Sequence, residues 1–113
     1  MVEVRFRRDS RQRLSSVLAQ GHANTAAHGE DVVCAGASAI LQSLELGLTA
    51  YAALPGTTTR GADGYLHIAI PSDARDREDV KALAATAELA IAQLARQYPS
   101  AVRCIREAQG GGT

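Results

Sequence analysis

Two histidines, two acids and a cysteine fall together in residues 21–34, GHANTAAHGEDVVC. A thiol is the strongest nucleophile among the side chains, and it works as the thiolate. Its ordinary pKa near 8.5 leaves only a few per cent ionised at neutral pH. Two features lower that value: the positive end of a helix and a neighbouring imidazole. Cys34 stands where VVCAGASAILQSLELGL begins to read as a helix, which places it in the opening turn. His22 lies in the segment before it and supplies a base if that segment folds back. Free N–H groups at the helix start would then serve as an oxyanion site.

Each of these residues also has a plain structural reading. Cys34 can be a small apolar side chain packed under the loop, but its one-residue offset from Val33 argues against deep burial. His28 is the weaker base candidate, set among alanines beside Gly29. Asp31 fits an N-cap, a position that can also orient an imidazole. Ser38, one turn after Cys34, shares its helix face and can donate a hydrogen bond or simply fill space. A metal site of His22, His28, Asp31 and Cys34 offers atoms that zinc accepts, but the spacing H-x5-H-x2-D-x2-C is not a common zinc pattern. Cys104 reads as a packed residue and His67 as an exposed strand position.

The elements that must hold this group follow from periodicity. Val2, Val4 and Phe6 alternate with charged residues, as in a half-buried strand. Asp9-Ser10 supplies turn chemistry, and residues 14–20 return as a second strand. Residues 21–31 have no period and read as a loop hinged at Gly21 and Gly29. From Val33 the set Val33, Ala37, Ile40, Leu41, Leu44 and Leu48 follows helical spacing, with Gly47 as a stop signal. Gly36 costs this helix about 1 kcal/mol against alanine, which suggests close backbone packing there.

Residues 48–54 fit either a short strand or a helix tail, and PGTTTRGADG reads as a loop. Leu66, Ile68 and Ile70 share one face of a further strand. Ser72 or Asp73 can cap a second helix with the stripe Val80, Leu83, Ala84, Ala87, Ile91, Leu94 and Tyr98, closed by Pro99. Residues 101–106 suit an edge strand. The order ββαββαβ predicts an α+β two-layer sandwich, a mostly antiparallel sheet carrying two helices. We expect one domain over 1–108 and a frayed tail at 109–113.

Twelve basic and twelve acidic residues balance, so nothing points to direct nucleic-acid binding. Five arginines against two acids in residues 1–13 read as a solvated strand and turn, or as weak steering toward an anionic partner. The N-terminal strand alternates with charge, so it is neither a signal h-region nor a membrane span. Two cysteines without a motif partner suit a reduced, cytoplasmic setting. Aromatics make up only 4% of the chain, a thin core that oligomer contacts would supplement.

GHA at 21–23 and HGEDVVCAGASAI at 28–40 resemble the signature of the ribosomal-processing cysteine proteases, the Prp family. GL at 47–48, GYL at 64–66 and QLARQYP at 93–99 extend the resemblance over essentially the whole chain. It implies a cofactor-free, homodimeric endopeptidase without a membrane anchor. Its substrate would be the N-terminal extension of a bacterial large-subunit ribosomal protein, the one numbered twenty-seven. It further implies Cys34 as nucleophile, His22 as general base and acid, and Asp31 and Ser38 in supporting roles. Gly21 would bound a mobile lid. Ala35-Gly36-Ala37-Ser38 departs from the family's usual Ala-Ala-Val-Ser, and PGTTTRGADG from its more acidic loops. A non-catalytic ribosome-associated binding or assembly module of the same fold is the alternative.

Overall fold

A computed structural model describes residues 1–21, 28–55, 57–62 and 64–108, apart from the side chains of residues 28–31. Five strands form one sheet: β1 (Val2–Arg8), β2 (Leu14–Gln20), β3 (Thr58–Arg60), β4 (Leu66–Ala69) and β5 (Val102–Ala108). Their order across the sheet is β3-β4-β2-β1-β5. Only β1 and β5 run parallel; the other three pairings are antiparallel. Two helices, α1 (His28–Leu46) and α2 (Glu78–Gln97), complete the ββαββαβ order of an α+β sandwich.

Alternation in the strands sorts their side chains by face. Val2, Val4 and Phe6 of β1, Val17 and Ala19 of β2, and Ile68 of β4 are buried. They join Ala37, Leu41, Leu44, Val80, Ala87 and Ile91 from the helices in one core. The stretch Val32–Tyr51 is long and apolar enough to cross a membrane, with mean hydropathy 1.4. Here its Cys34, Ala37, Leu41, Leu44 and Leu48 belong to the core.

Asp9 organises the turn between β1 and β2, as its residue type predicts. Its carboxylate accepts from the backbone N–H of Arg11 (2.9 Å) and Arg13 (3.1 Å), and from the side chains of Arg13 and Arg75 (both 3.0 Å). Burial pushes this carboxyl up, but those four donors outweigh it and hold its pKa at about 2. Glu88 on α2 is buried in the same manner. It takes both guanidinium nitrogens of Arg8 (3.0 and 2.5 Å) and Nε of Arg106 (2.7 Å), tying α2 to β1 and β5.

Several sequence expectations give way here. The third strand is Thr58–Arg60, inside the segment read as a loop, because threonines pair it with β4. Of the two readings of residues 48–54 the helix tail holds as far as Tyr51: Gly47–Tyr51 is a π-helical turn continuing α1, so Gly47 does not end the helix. Helix α1 begins at His28 and takes Gly29 and Asp31 into its first turn. Gly29 alone is too small a penalty to delay the helix, and Asp31 is therefore not its N-cap. Ser72 and Asp73 do not cap α2 either; they lie in a 3-10 turn, and α2 starts after Arg77. No Cβ at Gly36 would meet a described atom within 4 Å, so close packing there is absent. The close approach is at Gly47, where a Cβ would lie 2.7 Å from Cδ2 of Leu83 on α2. The expected tail at 109–113 lies outside the described residues.

Candidate active site

Helix α1 lays Cys34, Ser38, Leu41 and Gln42 along one face, at the i, i+4, i+7, i+8 spacing of a helical stripe. That face forms one wall of a cleft of about 410 Å³. Val2, Ala19 and Gly21, at the adjoining ends of β1 and β2, supply the floor. Arg60, Gly61, Gly64, Tyr65 and Leu66, from the end of β3 to the start of β4, supply the opposite wall.

Gly21 holds φ +89, and a Cβ on it would lie 2.3 Å from the Met1 carbonyl oxygen. Only glycine passes there without displacing the start of β1. The sequence marked Gly21 as a hinge; in the structure it is a tight junction on the cleft floor.

Cys34 is only 4% exposed, and its Sγ donates to the Ala101 carbonyl at 3.8 Å. This corrects the expectation of a shallow position. The core stripe is led by Cys34, three residues before Ala37 and seven before Leu41, with Val33 only half-buried beside it. Cys34 is the seventh helical residue, in the second turn. Free N–H groups and the concentrated dipole belong to the first turn, so neither acts on Cys34 by position alone. Ser38 is exposed one turn further along the same cleft wall.

His22 lies outside the described residues, and of His28 and Asp31 only the helical backbone is described. No cluster of three or more metal-ligating side chains occurs among the described residues. Cys104 stands apart on β5, half-buried; burial pushes its thiol pKa up. His67 is half-buried on β4 rather than exposed.

Arg60 and Gln42 were not singled out in the sequence. Gln42 was readable, since it falls eight residues after Cys34 on a helix. Arg60 was not. Its partner, Glu45, is fifteen positions away, across a segment without period. The guanidinium donates from Nη1 to Oε2 at 2.7 Å and from Nη2 to Oε1 at 2.5 Å. That fork holds the Glu45 pKa below the usual carboxylate range and raises that of Arg60.

The family model described as cysteine protease Prp matches residues 1–103. The chain belongs to this cysteine protease family. Among solved structures, the Prp-family chain resembles SMU.848 from Streptococcus mutans with TM-score 0.83 and 28% identity, covering 96% of each chain. An essential ribosomal processing protease Prp from S. aureus, solved with a substrate peptide, gives TM-score 0.83 at 20% identity over 94% of this chain and 99% of that one. The same S. aureus protease with a covalently linked product peptide gives TM-score 0.74 at 22% identity, with the same coverage. At that identity the two S. aureus structures bear on the fold alone. No curated protein matches the chain.

Proposed function

We propose that this Prp-family protease removes a short N-terminal extension from a large-subunit ribosomal protein, the one numbered twenty-seven, with Cys34 as nucleophile and His22 as general base and acid. The observation that carries this reading is the position of Cys34: it opens on the 410 Å³ cleft, and Cys104 does not line that cleft. His22 is the residue that follows Gly21 on the cleft floor.

At rest the Cys34 Sγ donates to the Ala101 carbonyl. Catalysis then begins with rotation of Sγ from that carbonyl into the cleft. His22 takes the thiol proton as sulfur attacks the scissile carbonyl, and returns it to the leaving amine. A thioester to Cys34 remains. Water, deprotonated by His22, releases the new carboxylate and restores the thiol. Val2, Ala19, Leu41 and Leu66 offer apolar side chains to the bound peptide, and the Ser38 hydroxyl is placed to donate to it. Asp31 acts from the first turn of α1 in a supporting role, and Gly21 fixes the floor. This chemistry requires no cofactor.

Residues 1–108 act as one protease unit, in the cytoplasm and as a homodimer, without membrane or nucleic-acid contacts. The test is a peptide spanning the extension and mature start of the host's own ribosomal protein. Wild type gives one pair of products by mass spectrometry, and Cys34→Ala and His22→Ala give none. Turnover retained by either variant contradicts the assignment.

A further inference from the structure

Of the described residues lining the cleft, Arg60 alone carries a formal charge at neutral pH. Its side chain is 55% exposed, and Glu45, which grips it from α1, is 19% exposed. An arginine has five N–H donors, and the fork on Glu45 occupies two of them. Three remain, on a guanidinium fixed in direction but neutralised by its partner. A carboxylate in the cleft would meet no net charge and would have to compete with Glu45. A neutral acceptor meets only the free donors.

Cys34 and Gln42 bracket the helical wall, eight residues apart. At 1.5 Å per residue that is about 12 Å. An extended peptide rises about 3.3 Å per residue, so the Gln42 and Arg60 end of the cleft lies about four residues from a bond held at Cys34.

We infer that Arg60, oriented by Glu45, is a specificity-determining residue that selects a neutral hydrogen-bond acceptor on the substrate about four positions from the cleaved bond. This rests on the proposed protease site at Cys34. Glu45 is a positioning residue. It fixes the fork and, by cancelling its charge, turns the preference away from acidic side chains.

The experiment uses peptides cleaved by the full chain, with Gln, Glu or Leu placed in turn at the third to fifth positions on either side of the scissile bond. Wild type should favour Gln over Glu and Leu at one of these positions by about tenfold in kcat/KM, the worth of one hydrogen bond near 1.4 kcal/mol. Arg60→Ala should level the three peptides, with the loss appearing in KM rather than kcat. Glu45→Gln should unmask the charge and move the preference from Gln to Glu. A wild type indifferent at every position, or a Gln preference surviving in Arg60→Ala, overturns the inference and leaves the protease reading standing. A wild type that cleaves no peptide carrying the extension overturns that reading and this inference with it.

Discussion

Alanine at position 36 should stabilise the protein, and by a calculable amount. Gly36 lies in the middle of α1, where glycine costs about 1 kcal/mol relative to alanine. A methyl group there meets no described atom within 4 Å, so no packing penalty offsets the gain. Unfolding entropy near 2.1 cal/mol/K per residue gives about 240 cal/mol/K for 113 residues. The melting temperature should therefore rise by about 4 °C, read by circular dichroism or calorimetry at fixed protein concentration. Gly47→Ala is the control of opposite character, because its Cβ would fall 2.7 Å from Leu83 Cδ2. The end of the Leu83 side chain must shift to admit that methyl, so the gain in Gly47→Ala should be smaller than in Gly36→Ala. Peptide cleavage should be unaffected in Gly36→Ala, since the residue does not line the cleft. An unchanged or lowered melting temperature in Gly36→Ala would refute the reasoning.

Two further perturbations probe the frame around the site. The Asp9 pKa is depressed from 3.8 to about 2, so its contribution is full above pH 4 and is lost as pH falls toward 2. Asp9→Asn should lower stability at pH 7 and flatten the acid limb of a melting-temperature profile; an unaltered acid limb would count against the four-donor cradle. Gly21→Ala should cost about 2 kcal/mol or more in a denaturant titration, from left-handed strain plus the clash with Met1. Its cleavage rate should fall as well, and a variant as stable and active as wild type would remove the tight junction from the account.

The sequence displayed its strands through local contrasts. Val2, Val4 and Phe6 alternate with charge, and Leu66, Ile68 and Ile70 share a face, so these elements needed no tertiary information. The same holds for α2, whose stripe from Val80 to Leu94 is long. What failed was local in signal but tertiary in cause. The start of α1 has no strong breaker, so it runs back to His28. A stripe led by Val33 makes Cys34 read as shallow, although Cys34 stands three and seven residues before Ala37 and Leu41. The β3 strand is three residues long and exists because β4 lies beside it. Glu88 carries no local signal of burial, yet arginines from β1 and β5 allow it to be buried. The sequence marked Gly36 for close packing and Gly47 as a stop, and only the position of Leu83 shows that the close approach is at Gly47. Cys34, Ser38 and Gly21, each singled out in the sequence, line one cleft. Arg60 was not singled out, since its role depends on a partner brought close by folding.

The central claim is that the buried thiol of Cys34, and not that of Cys104, meets the substrate. Its most direct test is labelling with a chloromethyl ketone built on the peptide sequence that ends at the cleaved bond, followed by intact mass and peptide mapping. One adduct per chain on Cys34 is predicted. The cleft opens on this thiol, whereas Cys104 does not line it and burial raises its pKa. Label on Cys104, or none on Cys34 in a preparation that cleaves the peptide, would contradict it.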